Sequence, residues 1–227
     1  MRRVLLFLAA AALAVAMGVP ASADGGGDAT RKLYPPDAEP FGMTYAEWHG
    51  AYQVWFNEIP TRLNPAVDPL SPRNCEVQPG GDVVFVGAYG ADCSVPEGAA
   101  IAIGTASWEC STAEGLGETF AELRACAREN FERDFGPGLF HQRILIDGEH
   151  LRYTRRWITA TPGEIIDFPR NNIWDAEPGP SKSASEGFLF ILRPLREGTH
   201  RIVAKVTSST IGDFTVVWKL HVVDHND

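Results

Sequence analysis

The segment DFTVVWKLHVV (213–223) alternates residue by residue. Phe214, Val216, Trp218, Leu220 and Val222 are large and apolar, while Thr215, Val217, Lys219 and His221 form a wetter set between them. A period of two is the pleat of a β-strand with one buried face. Such a strand needs neighbours to pair its backbone, and the preceding sequence supplies them. HQRILIDGEHLRYTR (141–155) sets Asp147-Gly148 between two alternating runs, the strongest short hairpin signal a sequence carries. EIIDF (164–168), FLFILRPL (188–195) and THRIVAKVTS (199–208) read as further strands. DVVFVGA (82–88) and AAIAIGT (99–105) are short apolar runs bounded by Gly and Pro. Many short strands separated by turns predict a mainly β chain, a β-sandwich of immunoglobulin-like or jelly-roll type.

Two segments break the pattern and predict helices near 45–58 and 119–134. Each opens with a capping box, Thr44-x-x-Glu47 and Thr119-x-x-Glu122. In the first, Tyr45, Trp48, Ala51, Tyr52, Trp55 and Phe56 fall on one side of a helical wheel. Glu47, Gly50, Gln53 and Asn57 fall largely on the other. The aromatic stripe therefore reads as the buried face, with His49 at its edge, and Pro60 stops the helix. In the second helix Phe120, Leu123, Ala127 and Phe131 share a face. The pair would cover an open end or a face of the sandwich.

The amino terminus reads as an export signal over residues 1–23. A basic start, MRR, precedes the apolar run VLLFLAAAALAVAMGV, and Ala21-Ser22-Ala23 gives an A-x-A cleavage site. The run is shorter than the ~20 residues a membrane span needs, so no membrane span is expected after cleavage. Residues 24–40, rich in Gly, Pro and Asp, read as a flexible tether, and 41–227 as a single domain. An exported chain with an even number of cysteines predicts two disulfides among Cys75, Cys93, Cys110 and Cys126. Three pairings are open. Cys75–Cys93 and Cys110–Cys126 are preferred because each closes a local loop. The chain is acidic, with a formal net charge of −9, and losing Arg2 and Arg3 makes the mature form more so. That balance argues against a nucleic-acid partner, which needs clustered cations.

The span from Thr44 to Val223 resembles a family of uncharacterised exported bacterial proteins. The residues that carry the likeness are Trp48 and Trp55, Asn64-Pro65 and Asp68, Cys75 with Gln78, and Cys93 with Val95-Pro96 and Gly98. Glu186-Gly187, Arg193-Pro194-Leu195 and Gly198-Thr199-His200 extend it to the C-terminal strands. Where the family tends to place a small residue and Asp before Gly187, this chain has Ser185-Glu186. The resemblance implies a fold, an export route and a Cys75–Cys93 disulfide, and implies no reaction.

No catalytic signature is present. There is no G-x-S-x-G elbow, no H-E-x-x-H and no EF-hand loop. His141, Asp147 and His150 have the right types for zinc, but Asp147 reads as a turn residue. His200 and His221 lie on neighbouring strands and read as solvated. Glu164, Asp167, Asp175 and Glu177 would have to converge to act as a carboxylate pair. Asn64 and Asp68 are a weak cation candidate, with turn capping as the plainer reading. No cofactor is expected. The binding candidates are Asn171, Asn172, Trp174 and Asp175 in a long polar loop over 171–187, and separately His49 on the rim of the first helix's aromatic stripe, where a satisfied core-edge histidine is the plainer reading. Amides, a carboxylate and an indole face suit a sugar. The expected role is a secreted, non-catalytic binding or structural protein with a glycan or an envelope protein as partner. The alternative is a secreted hydrolase using acidic or histidine side chains.

Overall fold

The Asp147-Gly148 turn is observed with both residues in the left-handed region, φ 53° and 81°, the geometry of a tight hairpin. It joins β4 (Phe140–Ile146) to β5 (Glu149–Leu151). The computed structural model describes residues 27–70, 75 and 78–224. The expected export signal therefore lies outside the described residues. The other strands are β1 (Val83–Val86), β2 (Ala91–Pro96), β3 (Ala100–Ser111), β6 (Ile158–Ala160), β7 (Glu164–Phe168), β8 (Gly179–Leu192), β9 (Gly198–Ser208) and β10 (Phe214–Val223). They form two mixed sheets. One runs β1-β3-β8-β6 with β7 also pairing β8, and the other runs β2-β10-β9-β4-β5. The sheets pack face to face through Ile103, Ile144, Phe190 and Trp218.

The protein is mainly β with two helices, and both preferred disulfides, Cys75–Cys93 and Cys110–Cys126, are present. Helix α1 (Tyr45–Glu58) and helix α2 (Phe120–Phe135) both start on complete capping boxes. α2 lies on β3 and β8, where Leu123, Ala127, Cys110 and Ala184 form a small buried cluster. α1 lies across β6, β7 and β8 on the opposite face of that sheet. No described helix is long and apolar enough to cross a membrane.

Three expectations are corrected. β2 was not expected, because the turn-like residues around Cys93 hide an alternating strand. It pairs in parallel with β10, Cys93 opposite Leu220. Residues 27–40 are not a tether. Ala29–Lys32 forms a 3-10 turn capped by Asp28, and Leu33 is 2% exposed and bridges to Leu192. Burial of Ala29 and Leu33 holds the segment despite its Gly- and Pro-rich composition. Finally, β8 begins at Gly179, so the long loop stops short of the expected Gly187.

Candidate functional site

The second face of α1 decides what lies beneath it. His49, Gln53 and Asn57 are four residues apart and share one stripe. All three are buried, at 0%, 4% and 1% exposure, so the side expected to be wet faces the sheet. Burial is possible because each polar atom finds a partner. His49 Nδ1 lies 3.1 Å from the Thr159 carbonyl, which can only accept, so Nδ1 carries the hydrogen. Nε2 then accepts from the Gln53 amide at 3.1 Å, and the same amide nitrogen donates to Ser107 Oγ at 3.1 Å. The Asn57 amide donates to the Gln53 side-chain oxygen at 3.3 Å. Burial pushes the His49 imidazole down to about 4, against a smaller opposing effect of Thr159, so the ring is neutral. His49 is an interior residue and not a pocket-edge ligand contact.

The sheet answers with hydroxyls and carboxyls. Alternate residues Ser107, Glu109 and Ser111 of β3 lie beside Ser183 and Ser185 of β8, with Ser185 opposite Glu109. Ser183 in turn lies opposite Glu164 of β7. Glu109 accepts from Ser183 Oγ, and Ser111 Oγ donates to Glu114 at 2.8 Å. Thr161 Oγ1 donates to Glu164 Oε1 at 3.2 Å. Glu164 Oε2 and Ser185 Oγ are buried with no hydrogen-bond partner among the described residues. Gly50 makes room for that carboxyl: a Cβ there would sit 3.4 Å from Glu164 Oε2. Burial pushes Glu164 up to about 7, partly offset by Thr161 and the Gly163 backbone. Burial, then the neighbouring Glu114, holds Glu109 well above the ordinary carboxylate range. Of these groups only Glu164 is a candidate in the sequence, although S-x-E-x-S in β3 and S-x-S-x-S in β8 both carry a polar period of two.

The exposed end of this network is the turn after β7. Asn172 is its clamp. Its amide donates to the Pro169 and Ala176 carbonyls, at 3.0 and 2.9 Å, and its oxygen accepts from the Trp174 and Ala176 backbone N–H groups, at 3.0 Å each. The Asn171 carbonyl accepts from Thr61 N at 2.7 Å, and Asp175 sits exposed in the left-handed region at φ 55°. Trp174 is 41% exposed, yet its Nε1–H donates to the side-chain oxygen of buried Asn57. Asn171, Asn172, Trp174 and Asp175 are thus brought together as expected, whereas His49 is buried two helical turns from Asn57. Asn172 is spent on the loop itself and offers no amide to a ligand.

The remaining candidates do not converge. Asp147 accepts from Arg201 N at 2.9 Å and meets His200 at 2.9 Å, while His150 lies against Arg143. His200 and His221 do not pair with each other. His221 instead sits between Thr199 Oγ1, at 3.1 Å, and Asp92 Oδ1, at 3.0 Å, on an open sheet surface. The buried Asn64 amide donates to the Phe56 carbonyl at 2.7 Å, and its oxygen accepts from Ala66 N, so it closes α1 rather than holding a cation. Asp68 is exposed in the following turn. Asp167 is also exposed, and its backbone N–H donates to Glu58 at 2.9 Å, apart from Glu164. Among the described residues no group of histidine, cysteine, aspartate and glutamate side chains has the arrangement of a metal site.

No protein-family model matches the sequence, and no curated protein matches it. Among solved structures, the chain is similar to the cysteine protease inhibitor EhICP2 from Entamoeba histolytica. The identity is 9% and the TM-score 0.24, over 62% of this chain and 96% of that one. It is also similar to Amebosin, at 11% identity and TM-score 0.24, over 63% of this chain and 100% of that one. Likeness at this level carries no argument about what the chain does.

Proposed function

We propose that this is a secreted, non-catalytic binding or structural protein of the cell envelope or extracellular space, taking a glycan or an envelope protein at the turn that carries Trp174. The observation behind this reading is the mounting of Trp174. Its ring is 41% exposed, while its nitrogen is tied to Asn57 and its backbone to Asn172. A ring ordered before binding loses little entropy when a sugar stacks on it. Asp175 beside it is exposed and supplies an acceptor for sugar hydroxyls. Two disulfides, the leader-like amino terminus and the resemblance to exported bacterial proteins support the compartment. The test is a pull-down on uncharged envelope polysaccharide of wild type beside Trp174→Ala. Retention that drops in the variant supports the reading, and equal retention or none in either removes it.

A hydrolase is the second reading, and one group favours it. Glu164, pushed up to about 7, titrates where a general acid or base works best. Its free Oε2 faces Gly50 of α1, so substrate would reach it only if α1 moved. Loss of glycosidase activity in Glu164→Gln, with the fold intact, would establish this reading. A wild type inert toward a broad set of glycosides would dispose of it.

A further inference from the structure

The outer face of sheet β2-β10-β9-β4-β5 sets cations opposite cations. Strand register places Arg143 of β4 directly opposite Lys205 of β9, and Arg201 of β9 directly opposite Lys219 of β10. All four side chains are exposed, Arg143 while also donating to the His150 ring at 3.1 Å. Like charges set opposite each other across strands destabilise a sheet, where threonine would serve at no such cost. The whole chain is acidic, at −9, so these cations are gathered against its overall charge. Asp92 is the carboxylate on the outward positions of these strands among the described residues. It is already engaged by Lys219 at 3.5 Å and His221 at 3.0 Å.

Between the two cationic rows runs an apolar one. Leu145 lies opposite Val203, and Val203 opposite Val217. Val203 is only 5% exposed, so the stripe is recessed between longer charged side chains. Neighbouring strands are about 4.8 Å apart and alternate residues on one strand about 7 Å apart, so the rows form a regular grid.

We propose that this face docks a linear anionic polysaccharide, with its sugar rings along the Leu145–Val203–Val217 stripe and its acidic groups reaching the cations on either side. Sugar rings present apolar faces with polar substituents at their edges, which matches an apolar lane bordered by charge. Thr207 and Thr215 are exposed beside the Arg143–Lys205 row and supply neutral hydrogen-bond partners. An anionic bilayer fits less well, because insertion needs protruding apolar side chains and Val203 is recessed. Single-stranded nucleic acid fits less well, because no aromatic ring stands on these rows for base stacking. The face lies on the far side of the sandwich from the Trp174 turn, so this inference stands apart from the preceding proposal.

The test is binding of the full chain to dextran sulfate and to polygalacturonate at low salt, with neutral dextran and phosphatidylglycerol vesicles as comparators. The variants are Arg143→Gln/Lys205→Gln and Arg201→Gln/Lys219→Gln, whose exposed positions leave the core untouched. Arg62→Gln/Arg170→Gln, exposed and away from this sheet, loses the same two charges and controls for net charge. The expected result is binding to one or both charged polymers and not to dextran, lost as salt screens it. Each of the two sheet double variants should bind at least about tenfold more weakly, with Arg62→Gln/Arg170→Gln unchanged. Preference for the sulfated or the carboxylated polymer identifies the acidic group. The proposal is overturned if neither polymer binds, if the two sheet double variants bind like wild type, or if vesicles bind as tightly as the polymers.

Discussion

The indole nitrogen of Trp174 donates to the side-chain oxygen of Asn57, joining a surface ring to the buried polar stripe of α1. Asn57 is itself held by Gln53, and Gln53 by His49 and Ser107. The exposed ring thus rests on interior hydrogen bonds and not on the turn alone.

Replacing Asn57 should therefore affect both ends. Asn57→Ala leaves the Trp174 N–H and the Gln53 oxygen short of a partner, at a cost of about 1–3 kcal/mol. Trp174→Ala removes a half-exposed ring and opens the Asn57 oxygen to water, which replaces the lost donor, so it should cost less, about 1 kcal/mol. Denaturant titration of both variants checks this. The order Asn57→Ala below Trp174→Ala in stability is the expected outcome.

Leu33 tests whether residues 27–40 belong to the domain. It is 2% exposed, packed in the sandwich core, and its segment donates from Tyr34 N to the Ile191 carbonyl at 2.9 Å. Leu33→Ala should cost roughly 2–5 kcal/mol, as for other buried leucines. A loose tether would show no change in the denaturation midpoint.

Gly104 lets the Tyr52 ring of α1 lie directly on the sheet. A Cβ there would lie 2.8 Å from Tyr52 Cε1, and the Tyr52 hydroxyl is fixed on the Val86 carbonyl at 2.9 Å. The ring cannot swing away without giving up that bond. Gly104→Ala should destabilise by about 1–3 kcal/mol, the usual cost of overpacking. Combining it with Tyr52→Phe should recover part of the loss if the hydroxyl is what holds the ring.

The buried titratable groups oppose each other. His49 is held at about 4 against an ordinary 6.5, so between these values the unfolded chain binds a proton that the folded one refuses. Its contribution, about 3 kcal/mol, is full above pH 6.5 and is lost as pH falls toward 4. Glu164 is raised to about 7 from an ordinary 4.5, so the folded state keeps a proton that the unfolded one releases. Its contribution is full below pH 4.5 and is lost as pH rises through 7. Glu109, raised for the same reason, acts in the same direction. Glu164→Gln should move the pH of greatest stability upward. Melting temperatures across about pH 4–8 measure it, and an unchanged optimum would show that Glu164 is not buried as described.

How much of this could be read from residues alone depends on how local the cause is. The capping boxes at Thr44 and Thr119, the Asp147-Gly148 turn and the alternation of β10 are local, and each appears where its residues place it. The polar face of α1 is the opposite case. Gln53 and Asn57 read as solvated because their partners, Ser107 and Trp174, are far along the chain. β2 is masked locally by the turn-like residues around Cys93, and the strand that pairs it, β10, lies more than a hundred residues further on. Leu33 was misread because a single apolar residue gives no period. The Trp174 turn was legible as a cluster, but the use of Asn172 to clamp it was not.

The measurement that bears most directly on the proposed function is the fraction of protein retained on immobilised uncharged envelope polysaccharide. It compares wild type, Trp174→Ala and Trp174→Phe, with melting temperatures taken alongside. The expected result is retention by wild type, loss in Trp174→Ala, and partial retention in Trp174→Phe, which keeps a ring but not its bond to Asn57. Equal retention by all three, or by none, would contradict a role for the ring.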